Sequence, residues 1–284
     1  MNILISGSTG LVGQRLKEVL LTKGHKVSGI GRADFSGPEE SLNAKVGQAD
    51  VVINLSGAPI VARWTESYKR EIMESRILTT RRLVKAMKSA TAWRGLYISA
   101  SAVGIYPEGD VFTEGNARFG NDFLAEVCKA WEAEAIRARP LAKVAVFRLG
   151  IVLSGEGGAL KKMLLPFKLG LGGPIASGKQ GFSWIHIDDL VNAYLFVMEK
   201  QLDGVFNLTS PNPTDNAGYT RALGKVLHRP VFTPLPAFAL RLLFGEGATM
   251  LTGGQKVLPG RLLNEGFVFG FPEIEAALQD LIGK

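Results

Sequence analysis

The chain has 284 residues, 46% of them hydrophobic, with 33 Lys and Arg against 26 Asp and Glu for a formal charge of +7. That composition is ordinary for a globular protein rather than a disordered or membrane one. Its basic residues are scattered, never more than two in succession and not interleaved with aromatics, so nucleic-acid binding is not expected.

Asn2–Ser6 reads as a short buried strand, and Gly7-Ser8-Thr9-Gly10-Leu11-Val12-Gly13 follows it at once. Gly7 permits the sharp exit turn, Gly10 clears the way for a pyrophosphate, and Gly13 lets a helix pack closely on the sheet. That helix is marked by Leu11, Val12, Leu16, Val19 and Leu20 at helical spacing, with a stop at Lys23-Gly24. Lys26–Ile30 supplies a second strand, completing a βαβ unit whose helix N-terminus offers N–H groups to phosphate. Gly31-Arg32 closes that second strand where a dinucleotide's 2′-phosphate would lie, and the planar guanidinium predicts NADP rather than NAD. Asp34, two residues on, stands as the alternative ribose partner, and a solvated Arg in a turn is the plain reading of Arg32.

Ala49–Gly57 is the next strand and its exit, with Leu55, Ser56 and Gly57 at the carboxyl end where ligands lie in such folds. Only about twenty residues separate it from Arg32, so one strand-helix unit is missing or reduced. A helix is predicted from about Glu66 to Lys88, then a strand at Leu96–Ser99, a loop to about Gly120, a helix from Asp122 to about Ala138, and a strand at Val144–Arg148. The alternation predicts an α/β Rossmann-type, doubly wound parallel sheet. Residues 1–155, completed by about 182–208, are expected to form the nucleotide-binding domain, and 156–181 with 209–284 a small substrate lobe.

Pro166, Lys168 and the glycines of Gly170–Gly173 interrupt the longest apolar stretch, and no basic leader precedes the first strand. A cytoplasmic protein without a membrane partner is therefore expected. A single cysteine, Cys128, excludes an internal disulfide, and three separated histidines argue against a metal site. Cys128 reads as a packed small hydrophobe. In Ser183-Trp184-Ile185-His186-Ile187-Asp188-Asp189, Asp188 or Asp189 is the expected helix cap, with His186 hydrogen-bonding structure beneath the pocket. Residues 170–181 read as a loop that either closes over a substrate or merely connects.

The GxxGxxG spacing resembles the extended or atypical branch of the short-chain dehydrogenase/reductases. The resemblance narrows on Asn54-Leu55-Ser56-Gly57, Trp64-Thr65-Glu66, Ser75-Arg76-Ile77, Ser99-Ala100-Ser101-Ala102-Val103-Gly104, Trp131-Glu132, Leu164-Leu165-Pro166-Phe167 and Gly254-Gln255-Lys256-Val257-Leu258-Pro259. These are similar to the YfcH-like family of epimerase/dehydratase-type proteins along nearly the whole chain.

That resemblance implies a cofactor site formed by Gly7, Thr9, Gly10, Leu11, Val12, Gly31, Arg32, Leu55, Ser56, Gly57, Glu71, Arg76, Ser99 and Val152. It implies an oxidoreductase or epimerase acting on a small, sugar-nucleotide-like substrate, with oligomeric state open. Glu71 and Arg76 read equally well as surface charges on a helix rich in both signs. Ser101 fits the superfamily's catalytic hydroxyl. The Tyr-x-x-x-Lys that should follow is absent, with Phe123 and Val127 expected in its places. Tyr106, Asp122 and Glu126 remain as substitutes, and Tyr106 reads equally as a loop anchor and Asp122 as a helix cap. Loss of that pair also supports a non-catalytic NADP(H)-binding sensor.

Overall fold

In the computed structural model, which describes residues 1–90 and 93–283, the chain runs through β1 (Asn2–Ser6), α1 (Leu11–Thr22) and β2 (Lys26–Ile30). Two short helices, α2 (Arg32–Ser36) and α3 (Glu39–Gly47), lead to β3 (Val51–Asn54). Next come α4 (Glu66–Ser89), β4 (Leu96–Ala102), β5 (Val111–Phe112), α5 (Phe123–Ile136) and β6 (Lys143–Leu149). The chain continues with β7 (Ile151–Leu153), α6 (Gly158–Lys168), β8 (Gly181–Phe182), β9 (Trp184–His186), α7 (Ile187–Glu199) and β10 (Gly204–Leu208). It ends with β11 (Thr214–Asp215), α8 (Asn216–Leu227), α9 (Ala237–Phe244), α10 (Thr249–Thr252), β12 (Lys256–Val257), α11 (Gly260–Asn264) and α12 (Ile274–Gly283).

Six of these strands form one parallel sheet in the order β10-β6-β4-β3-β1-β2. The chain is a Rossmann-type α/β protein. Strand β2 lies at the edge, and α2 and α3 occupy the place of the missing strand-helix unit, as the short spacing predicts. Successive side chains of a strand leave on opposite faces, so each strand feeds two cores. Ile3, Ile5, Ile53, Ile98 and Phe147 pack with residues of α1 and α7 on one face. Leu4, Val52, Tyr97 and Val146 pack with residues of α3, α4 and α5 on the other. Each such Leu or Ile contributes about 1.5–3 kcal/mol on burial.

Beyond β6 the chain leaves the sheet. A Cβ at Gly150 would stand 2.7 Å from the Ser183 carbonyl oxygen, so only glycine lets β7 fold back to pair with β9. From there a separate apolar cluster unites α6, α8 and α12 through Leu160, Phe167, Tyr219, Leu223 and Leu278. Within the predicted loop before Gly120 lies β5, which pairs in parallel with the distant β12. The 170–181 stretch has no helix, but the Pro174–Ala176 backbone is tied to Leu235 by paired hydrogen bonds of 2.9 Å.

Candidate functional site

The carboxyl ends of β1 and β3 meet at two glycine turns. Gly7 has φ +81°, a conformation L side chains rarely adopt, and its Cβ would lie 3.0 Å from the Leu55 carbonyl carbon. A Cβ on Gly13 would stand 2.3 Å from the Gly7 carbonyl oxygen, so α1 packs against the turn only with glycine there. Gly10 caps α1 without a side chain, and no acidic residue lies in the first turn. The N–H groups of Leu11 and Val12 are thereby left to an external acceptor, and the positive end of the helix suits an anion. Thr9 and Gly10 are exposed beside them.

Other predicted residues gather around this turn. Leu11 touches the turn after β7: a Cβ on Gly157 would lie 3.3 Å from its Cδ1, and half-buried Val152 sits in that strand. The hydroxyls of Ser6 and Ser56 bond to each other across β1 and β3. Asn54 steadies the β3 exit by accepting from Ser56 N–H at 3.3 Å and donating to Thr80 at 2.9 Å. Ser99 is buried in β4 beneath it.

At the end of β2, Gly31 is extended and Arg32 begins α2. Asp34 is committed within the protein: Oδ2 accepts from Gly31 N–H at 2.8 Å, and Oδ1 pairs with Lys45. Lys45, aided by the Gly31 N–H, holds the Asp34 carboxyl below its ordinary range. The Arg32 side chain is exposed and has no acidic partner among the described residues.

Arg76 is a buried cation without a carboxylate among the described residues. Its Nη atoms donate to the carbonyls of Ile72 at 2.9 Å and Ala58 at 3.1 Å, and its Cζ lies 5.3 Å from the Trp131 ring centre. A Cβ on Gly57 would come within 2.8 Å of that Cζ, so the β3 exit loop closes over the guanidinium only because residue 57 is glycine. Burial pushes the Arg76 pKa down, a cost that a bound phosphate would relieve. Glu71 stands on the exposed side of α4, between Tyr68, which donates to the Pro59 carbonyl at 2.7 Å, and Ser75, which accepts from Ala58 N–H at 2.9 Å. It therefore borders the same loop from outside. The glycine turns, the open N-terminus of α1, the unpaired Arg32 and the buried Arg76 fit a dinucleotide phosphate chain.

Ser101 and Tyr106 belong to one buried network. Ser101 Oγ donates to Glu132 at 2.7 Å, and Arg148 grips both oxygens of Glu132 at 2.8 and 2.7 Å. Arg148 also donates to the Tyr106 hydroxyl at 2.8 Å, which in turn donates to Asn207 at 2.8 Å. Burial pushes the Tyr106 phenol upward, and its proton is committed to Asn207.

The helix phase differs from expectation by one residue. Phe123 and Val127 face α4, with the Phe123 and Trp64 rings 5.2 Å apart and Val127 clustered with Trp64 and Ile72. Leu124 packs in that same cluster while lying close to Gly104, and Cys128 clusters with Val103 at the end of β4 where Ser101 lies. Neither has a hydroxyl or an amine to offer. Burial, then the nearby Glu132, pushes the Cys128 thiol up to about 12, making it inert near neutral pH. Asp122, through its 2.8 Å bond from Ala125 N–H, is the α5 cap.

The cap of α7 differs too. His186 Nδ1 itself accepts from Asp188 N–H at 3.0 Å, while Asp189 holds the Gly270 and Phe271 N–H groups at 2.7 and 2.9 Å. Folding brings His186 near Asp188 and Asp280, but Arg15 pairs with Asp188 at 2.8 Å and supplies the positive charge there.

The family described as the NAD dependent epimerase/dehydratase family matches residues 3–209. The chain belongs to that family. Residues 235–281 match a domain of unknown function, DUF1731. This epimerase-family chain is 40% identical over 302 residues to "Epimerase family protein SDR39U1 homolog, chloroplastic" of Arabidopsis thaliana, covering 99% of this chain and 87% of that one. It superposes on the human epimerase family protein SDR39U1 (isoform 2), crystallised with NADPH, at a TM-score of 0.91 with 35% identity and full coverage of both. A nucleoside-diphosphate sugar epimerase of Corynebacterium glutamicum gives a TM-score of 0.80 at 32% identity, covering all of this chain and 58% of that one.

The sequence pointed to the glycine turn and Arg32, and the family resemblance to Arg76, but neither gave a role to Glu132 or Arg148. Trp131-Glu132 stood out in the sequence only as part of a family pattern, and nothing local links it to Ser101.

Proposed function

We propose that the chain binds NADP(H) along the carboxyl edge of β1, β2 and β3, as an oxidoreductase- or epimerase/dehydratase-type protein for a small, sugar-nucleotide-like substrate. The observation that carries the cofactor choice is the contrast between Arg32 and Asp34. The guanidinium is exposed and unpaired, while the carboxylate that would hold a ribose is already satisfied. The NADPH in the human relative's crystal structure supports the same choice.

In this reading Gly7, Thr9, Gly10, Leu11 and Val12 receive the pyrophosphate, and Gly31 and Arg32 the 2′-phosphate. Leu55, Ser56 and Gly57 line the middle of the site, and Arg76 neutralises phosphate from beneath. Glu71 at the rim accepts from ribose or adenine donors. Ser99 and Val152 border the nicotinamide end, and residues 156–181 with 209–284 form the substrate lobe. When bound, the nicotinamide supplies hydride exchange. Ser101 presents its lone pairs to a substrate hydroxyl, since its proton faces Glu132.

The same contact favours a second reading. With the hydroxyl protons of Ser101 and Tyr106 held inside the network, and Cys128 packed beside the end of β4, no strong acid among the described residues serves the reacting centre. A protein that binds NADP(H) and signals its bound state to a partner needs no such acid. A panel of sugar nucleotides, ketones and aldehydes assayed for NADPH oxidation separates the two. The enzyme reading expects slow turnover with at least one substrate, reduced in Ser101→Ala at unchanged NADPH affinity. No turnover, together with a partner whose affinity differs between apo and NADPH-bound protein, supports the sensor.

A further inference from the structure

The positive charge of this protein is not evenly spread. Residues 157–187 and 216–245 together carry eight Lys and Arg and no Asp or Glu, which leaves 25 basic against 26 acidic residues in the rest of the chain. The two stretches are joined in space, because Pro174–Ala176 pairs with Leu235. Of the eight cations only Lys225 has an acidic partner among the described residues, Glu275 at 2.6 Å.

The same stretches expose large apolar side chains. Phe232 is 86% exposed, Phe238 74% and Leu242 76%, and Leu165, Leu169 and Leu171 are each more than half exposed. The pattern is periodic. On α6 the buried residues Leu160 and Phe167 face the lobe's core, while Lys161, Lys162, Leu165, Lys168 and Leu169 take the outer side. On α9 Leu240 is buried and Phe238, Arg241 and Leu242 are exposed. Scattered surface hydrophobes need no explanation, but a concentration of this kind marks an interaction site.

We propose that this face of the lobe, formed by α6, the 169–176 loop, the segment leading into α9 and α9 itself, docks on an anionic phospholipid surface. Protruding Phe and Leu beside unpaired Lys and Arg is the combination that enters the headgroup region and is drawn to anionic lipid. Charge argues against a second copy as the occupant, since two such faces would bring like charges together. Shape argues against a protein anchor, because Phe232, Phe238 and Leu242 project rather than line a recess. The expectation of no membrane partner rests on the lack of a spanning run. No helix among the described residues is long and apolar enough to cross a membrane, and a surface dock requires none.

The test is co-sedimentation of the full chain with phosphatidylcholine vesicles prepared with and without phosphatidylglycerol. The protein should pellet with the anionic vesicles alone and be released as salt rises. Vesicle affinity should fall by about tenfold or more in Phe238→Ser/Leu242→Ser and, separately, in Lys161→Glu/Lys162→Glu, with circular dichroism unchanged in both pairs. Equal pelleting with both vesicle types, no pelleting, or indifference to both pairs of substitutions would overturn the proposal. So would a concentration-dependent dimer that the Phe238/Leu242 pair abolishes, which would assign the face to a second copy.

Discussion

Ser101 and Glu132 are joined by a 2.7 Å hydrogen bond in which the serine donates, and Arg148 holds the glutamate from the other side with two bonds of its own. The Ser101 proton thus points into the protein. Both charged partners are buried, and burial opposes the Arg148 charge while Glu132 raises its pKa above the ordinary value. Removing one member of such a pair strands the other, so Glu132→Gln should lower the unfolding free energy by about 3–5 kcal/mol. Ser101→Ala removes one bond to a charged group and should cost about 1.5–3 kcal/mol. Urea denaturation measures both, and near-equal small losses would show the network to be loosely held.

Arg76 should behave in the opposite way. Its guanidinium is buried without a carboxylate among the described residues, so the apo protein bears a desolvation cost. Arg76→Met should leave apo stability unchanged or raise it, while weakening NADPH binding by about tenfold or more. Thermal melts and cofactor titration of the same sample read both quantities. Lower apo stability with unchanged affinity would make Arg76 a structural residue.

The glycine turn gives a third expectation. A Cβ at Gly10 would meet only the Gly7 carbonyl oxygen, at 3.4 Å, so Gly10→Val should fold. Its branched side chain should block the pyrophosphate approach and abolish NADPH binding. A folded Gly10→Val that binds as the parent does would place the phosphates elsewhere.

Much of this site is legible in the sequence because it is local. The β1-turn-α1 unit lies within about twenty residues, with Gly7 and Gly13 at positions where sterics leave no other choice. Arg32 is singled out by its place at the end of β2, and the shortened segment before β3 is legible from chain length. The rest is set by contacts far apart in the chain. Ser101 and Glu132 are separated by 31 residues, and their pairing depends on how α5 rotates against β4. The aromatic ring of Phe123 invites comparison with a tyrosine, yet the cap at Asp122 and the packing of Trp64 on Phe123 turn Cys128 toward the end of β4 instead. The β5–β12 pair joins two-residue strands from opposite halves of the chain, too short for any periodicity to reveal.

Acid should weaken the fold through His186. Burial holds its pKa below 6.5, despite the opposing pull of Asp188, Asp189 and Asp280. The unfolded chain therefore takes up this proton more readily than the folded protein. The stability from neutral His186 is complete above 6.5 and is lost as pH falls toward the folded value. His186→Asn retains a cap acceptor without the titration, so its melting temperature should fall less steeply below 6.5 than the parent's. Parallel curves for the two proteins would remove His186 from the account.

The central claim is an NADP(H) site chosen by Arg32, and calorimetric titration of NADPH and NADH into the parent and Arg32→Ala tests it most directly. The parent should prefer NADPH by about 1.5–3 kcal/mol, the range for a hydrogen bond to a charged group, and the substitution should remove that preference while leaving NADH affinity nearly unchanged. Equal affinity for the two cofactors in the parent, or a preference that survives in Arg32→Ala, would contradict it.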